Sequence, residues 1–217
     1  MRRSFLFFLL LAATAAAAPT KIACIGDSIT FGLFTDKACD YPAQLQRMLG
    51  ADQYLVGNFG VSRTTVLRKG DFPYYKKKAL QDAVDFKPDI VVIMLGTNDT
   101  KPYNWGPYGS QFDADYRWLV SRFATTNIFV CRPCWVAKSD PAAINEQGIQ
   151  AEIPIIDKIA TGHHLKEIDM HAALEGHPED YHDGVHPTTA GATILAKTVY
   201  KAITGSDYHG TVPPPAP

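Results

Sequence analysis

Five short apolar runs punctuate the chain, at residues 21–26, 54–60, 89–96, 127–131 and 164–170. The third is the longest, with Ile90-Val91-Val92-Ile93-Met94-Leu95 unbroken before Gly96. Their apolar positions are consecutive rather than alternate, as in strands covered on both faces. Between them lie stretches whose apolar residues recur at helical spacing, at 41–49, 75–86, 112–123, 149–159 and 188–203. Phe112, Tyr116, Leu119, Val120 and Phe123 share one side of the third, with Asp113 and Asp115 in its first turn. Pro154 is expected to interrupt the fourth. This alternation of strand and helix predicts an α/β fold, a three-layer α/β/α sandwich around a mainly parallel five-stranded sheet.

The two ends read differently. Residues 1–18 begin Met1-Arg2-Arg3-Ser4, continue apolar except for Thr14, and close on an alanine run before Pro19. A positive start, a short apolar stretch and small residues at the exit make a signal peptide. The alternative, an uncleaved anchor, meets a length problem. Fourteen helical residues reach about 21 Å against a hydrocarbon core of about 30 Å. The chain is therefore expected to be secreted or periplasmic, with no membrane span after cleavage. Residues 205–217 end Thr-Val-Pro-Pro-Pro-Ala-Pro and read as a loose Pro-rich tail, leaving 19–204 as the single domain.

Composition narrows the function classes. The 217 residues hold 21 Lys plus Arg and 22 Asp plus Glu, a net charge of −1 that becomes −3 once Arg2 and Arg3 are removed. No cationic excess exists to hold nucleic acid, and 46% apolar residues is ordinary globular usage. The run Lys76-Lys77-Lys78 reads as a solvated helix face. Export would permit disulfides among Cys24, Cys39, Cys131 and Cys134. Cys131-x-x-Cys134 follows a late strand and encloses Pro133, which does not suit a redox motif. It reads as a local disulfide or two buried thiols, and Cys24 as a small core residue.

Ligands of open α/β sheets bind beyond the carboxyl ends of the strands. Four short blocks fall there or just before the last helix: Gly26-Asp27-Ser28-Ile29-Thr30, Asn58-Phe59-Gly60, Gly96-Thr97-Asn98-Asp99, and Asp183-Gly184-Val185-His186-Pro187. Each alone is ordinary turn or capping chemistry. Together and in this order they resemble the SGNH (GDSL) hydrolases over nearly the whole mature chain, about residues 21–203. The stretch from Tyr41-Pro42-Ala43-Gln44-Leu45 through Gly96-Thr97-Asn98-Asp99-Thr100-Lys101-Pro102-Tyr103-Asn104-Trp105 is most similar to the sialate O-acetylesterase-like and carbohydrate acetylesterase members.

The resemblance implies a flavodoxin-like SGNH fold and a serine esterase with a Ser28, His186 and Asp183 triad, acting through an acyl-enzyme. It assigns the oxyanion hole to the backbone of Ser28 and Gly60 and the side-chain amide of Asn98. It implies no cofactor and no metal. Such chemistry is physically coherent. A serine hydroxyl needs a base to take its proton, and a histidine can return that proton to the leaving alcohol. The aspartate fixes the imidazole tautomer. Asn98 offers a neutral donor where a carboxylate would repel an oxyanion, so its neighbour Asp99 reads as structural.

No long apolar insertion resembles a lipase lid, which favours a small acyl group such as acetyl on a bulky polar alcohol. The expected partner is an acetylated carbohydrate or other small acyl ester, and Trp105 is a possible platform for a sugar face. The alternative within the family is a lysophospholipase or thioesterase acting on longer acyl chains. A zinc site at His177, His182, Asp183 and His186 would leave Ser28 and Asn98 unexplained. A non-catalytic carbohydrate-binding domain would leave every catalytic position filled without use.

Overall fold

The computed structural model describes residues 17–215. The leader read at 1–18 therefore lies outside the described residues, apart from Ala17 and Ala18. Among the described residues, no helix is long and apolar enough to cross a membrane.

The strands are β1 (Thr20–Gly26), β2 (Tyr54–Gly60), β3 (Ile90–Met94), β4 (Ile128–Arg132) and β5 (Lys166–Asp169). The helices are α1 (Ser28–Phe31), α2 (Tyr41–Leu49), α3 (Lys78–Asp85), α4 (Pro102–Tyr108), α5 (Phe112–Val120), α6 (Glu146–Gly162), α7 (Met170–Leu174) and α8 (Thr189–Thr204). All strand pairs are parallel, in the order β2-β1-β3-β4-β5. The chain moves outward from β1 to β2, then returns past β1 to β3 and continues the other way. That reversal opens a crevice at the carboxyl ends of β1 and β3.

Side-chain alternation divides the interior in two. Ile22, Cys24, Val92, Met94, Phe129 and Cys131 face a core closed by α2, α7 and α8. Ile25, Val91, Ile93, Ile128 and Val130 face a second core closed by α3, α5 and α6. The consecutive apolar runs thus supply one residue to each core in turn, and the three-layer expectation holds.

The interruption expected at Pro154 needs revision. Helix α6 runs through Pro154 without a break, because Pro154 lies on its exposed side. There the carbonyl deprived of its N–H partner faces water, and solvent-side helical bonds are already the easiest to loosen. Helix α4, with Pro102 in its first turn and Pro107 inside, has no apolar stripe to reveal it. Among the described residues the C-terminal segment has no helix or strand beyond Thr204, and it makes contacts with the domain. Tyr208 packs edge-on against Tyr200, and the carbonyl of Pro213 accepts from Arg47 Nε at 2.6 Å.

Candidate active site

Strand β1 ends on Gly26, and after Asp27 the chain turns directly into α1 with Ser28 as its first residue. Asp27 caps this short helix, its Oδ1 accepting from Ile29 N at 2.9 Å. Gly32 closes it in the left-handed conformation, φ 90°. The carbonyl of Ser28 accepts from both Gly32 N and Leu33 N, each at 3.0 Å. The Ser28 hydroxyl is thereby fixed at the sheet's carboxyl edge.

The facing imidazole comes from the loop before α8, 158 residues away. Ser28 Oγ lies 2.9 Å from His186 Nε2. His186 Nδ1 lies 2.8 Å from Asp183 Oδ2, while Asp183 Oδ1 accepts from the backbone N–H of Val185 and His186 at 2.9 and 2.8 Å. Burial alone would raise the Asp183 carboxyl, but these bonds and the imidazole outweigh it and hold it below the usual range. With a carboxylate at Nδ1 the ring proton sits there, leaving Nε2 to accept from the hydroxyl. Such a relay can turn a serine into a nucleophile. The loop itself is closed by His182 N donating to His186 O at 2.8 Å. Gly184, at φ 91°, approaches Lys138 too closely for any side chain.

Asn98 is buried, and one amide hydrogen goes to Asp27 Oδ2 at 3.3 Å, which ties it to the cap of α1. Asn104 Nδ2 holds the Asn98 carbonyl at 3.0 Å, so α4 braces the loop. Asp99 accepts from Val66 N and Leu67 N at 3.0 and 2.7 Å, a structural use.

Gly60, expected to donate its backbone N–H to the oxyanion, has that N–H engaged within the fold. Its N–H donates to Asn58 Oδ1 at 2.9 Å. Asn58 is itself held by Thr30 O and Asp40 Oδ1. Glycine is required at 60 for packing: a Cβ there would stand 2.3 Å from Phe31 N. Trp105, the possible sugar platform, stands on α4 and is partly exposed. It meets Phe112 edge-on and lines a groove of about 350 Å³ with Thr100, Pro102, Asn145 and Gly148, which includes neither Ser28 nor His186.

Three acids lie buried beneath the site. Burial pushes the Asp27 carboxyl up to about 6, and that of Asp99 up to about 8 despite its two backbone donors. Glu152 is fully buried, and neither of its oxygens has a hydrogen-bond partner among the described residues. A Cβ at Gly96 would lie 2.3 Å from Glu152 Oε2, so this glycine makes room for the carboxyl. Burial, with Asp99 and Asp27 acting in the same direction, raises Glu152 well above the ordinary carboxyl.

A raised acid keeps its proton in the fold while the unfolded chain releases it. Stability from such a group is therefore full below the unfolded value of about 4.3. It falls by about 1.4 kcal/mol per pH unit above that, until the folded carboxyl ionises. Glu152→Gln should remove this slope. Its melting temperature should match wild type near pH 4 and gain on it by about 2–5 °C per pH unit as pH rises toward 7. Parallel melting curves across that range would show that Glu152 does not titrate this way.

The remaining candidates resolve separately. All four cysteines are free thiols, with Cys134 Sγ against Met94 Sδ at 3.9 Å, so the disulfide option for Cys131 and Cys134 is replaced by two buried thiols. Burial raises Cys24 to about 12 and Cys131 well above the ordinary thiol. The four residues considered for zinc do not converge. His186 and Asp183 hold each other, while His182 stacks on Phe34, ring centroids 4.2 Å apart. His177, Glu179 and Asp180 form a separate, mainly exposed cluster.

The family described as GDSL-like lipase/acylhydrolase matches residues 24–194. An acetylxylan esterase of Xylanibacter ruminicola is 41% identical over 208 residues, covering 84% of this chain and 43% of that protein. The chain thus spans under half the length of that relative. Among solved structures, an acetylxylan esterase from Geobacillus stearothermophilus has a TM-score of 0.66 at 24% identity, covering 87% of this chain and 96% of that one. The aryl esterase of M. smegmatis has a TM-score of 0.71 at 21% identity, covering 86% and 99%. These two share the fold.

Proposed function

Because the chain belongs to the GDSL-like lipase/acylhydrolase family, and is accordingly a carboxylic ester hydrolase, we propose that it removes O-acetyl groups from carbohydrate by serine catalysis. The observation that carries this reading is the continuous relay from Ser28 Oγ through His186 to Asp183, at 2.9 and 2.8 Å.

In this reading His186 Nε2 takes the hydroxyl proton as Ser28 Oγ attacks the acetyl carbon. Asp183, held ionised by its hydrogen bonds, stabilises the imidazolium that forms. The tetrahedral intermediate places its negative oxygen against the free amide hydrogen of Asn98 and the Ser28 N–H. Gly60 joins them only by exchanging its bond to Asn58. A single oxyanion donor is typically worth about 2.7–4 kcal/mol. His186 then returns the proton to the departing sugar hydroxyl, leaving an acetyl-enzyme. Water repeats the sequence on the other side, releasing acetate and restoring Ser28.

An acetylated carbohydrate as the alcohol is supported by the 41% identical acetylxylan esterase. Export through residues 1–18, to reach such polymers, belongs to the same proposal. The test is acetate release from a panel of acetylated glycans, run beside p-nitrophenyl acetate and octanoate. Acetate should leave at least one glycan, and the acetate ester should be favoured over the octanoate by at least about tenfold. Preference for octanoate with no glycan turned over would instead assign the site to longer acyl chains.

A further inference from the structure

Exposed large apolar side chains are few among the described residues: Phe31, Phe34, Leu55 and Tyr103. Two of them are near Ser28: Phe31 ends α1, and Phe34 lies on the loop that follows. Phe34 is 49% exposed and so gains little from core burial. It also adopts a left-handed backbone, φ 69°, which a bulky side chain disfavours. A strained and exposed aromatic position next to a reactive pair calls for a reason outside folding.

The ring is well placed despite its exposure. One face lies on His182, centroids 4.2 Å apart and nearly parallel at 11°. Its ring meets that of His186 at 5.5 Å and 77°. The loop is tied at both ends. Leu33 N donates to Ser28 O, while Asp36 N donates to Thr189 Oγ1, and that hydroxyl donates to Asp36 Oδ2. The wall therefore keeps its place without a substrate to order it.

Chemistry decides which part of a substrate this wall meets. His186 Nε2 must hand its proton to the departing alcohol, so the alcohol oxygen stands at that atom and its carbon skeleton beside the imidazole. The acyl oxygen lies on the other side, toward Asn98. We infer that Phe34, backed by His182, is the specificity-determining surface for the leaving alcohol, and that the C–H face of the acetylated sugar ring rests against it. This assignment rests on the proposed roles of Ser28 and His186.

The test compares alcohols under one shared acyl group. Wild type, Phe34→Ala, Phe34→Leu and Phe34→Trp are each assayed on ethyl acetate, cyclohexyl acetate and acetylated xylotriose. For each protein the ratio of kcat/KM on a ring alcohol to that on ethyl acetate is taken. This ratio should fall about tenfold in Phe34→Ala and Phe34→Leu, chiefly through KM, and be kept by Phe34→Trp. A ratio unchanged within about twofold overturns the inference, whether both rates fall together, as for a residue that only steadies His186, or neither falls. Were wild type inert on acetylated xylotriose, the carbohydrate reading would lose support. The cyclohexyl to ethyl ratio would still decide the role of Phe34.

Discussion

Ser28→Ala is expected to abolish ester hydrolysis, lowering kcat by about 10⁴-fold or more while leaving the fold intact. Asp27 rather than Ser28 caps α1, and the Ser28 carbonyl that anchors the following loop is backbone. The side-chain oxygen has His186 Nε2 as its partner, so its loss leaves no buried group stranded in a dry interior. Residual turnover would come from a water molecule beside His186 and the oxyanion donors. Because the relay works as a unit, His186→Ala should cost about as much, and the double variant little more than either. Measuring acetate release together with the melting temperature checks this. A Ser28→Ala protein keeping more than a few per cent of activity would refute a serine nucleophile.

The second large effect is expected from Asp183→Asn, about 10⁴-fold in kcat, although the replacement is nearly isosteric. An asparagine keeps the carbonyl oxygen that accepts from Val185 and His186, so the loop keeps its shape. What changes is the group facing His186 Nδ1, where an N–H donor replaces an acceptor. The imidazole then places its own proton on Nε2, where it blocks acceptance from the Ser28 hydroxyl. The Asp183 carboxyl lies below the ordinary range in the fold, so the stability it supplies is present above the unfolded value of about 3.9 and lost as pH falls. The asparagine variant should therefore lose less stability on acidification. A kcat within tenfold of wild type would mean that another group orients the imidazole.

The sheet and its reactive edge were legible because they rest on short-range patterns. Residues 90–95 are apolar at every position, as a short strand between two covered faces requires, Ser28 and Asn98 follow such strands, and His186 precedes the last helix. Features fixed by close approach over long sequence distances were not legible. Nothing around Gly60 announces that Asn58 occupies its N–H, or that Phe31 leaves no room for a side chain. The edge-on packing of Trp105 against Phe112 is likewise invisible in its sequence neighbourhood. Phe34 draws no attention in a periodicity plot, since its importance comes from His182 and His186, about 150 residues on. Glu152 was the detectable omission. It sits on the stripe of Ile149, Ile156 and Ile159 that α6 turns inward, a charged residue at a core position. Pro154 drew attention away from that stripe, yet it lies on the opposite, harmless face.

The four unpaired thiols carry a practical meaning. Three are sealed inside the sheet and its helices, where the nucleophilic thiolate is suppressed, and only Cys39 is partly open. No covalent cross-link has to form for this chain to reach its native state. The fold should therefore keep its melting temperature when a thiol reductant is added.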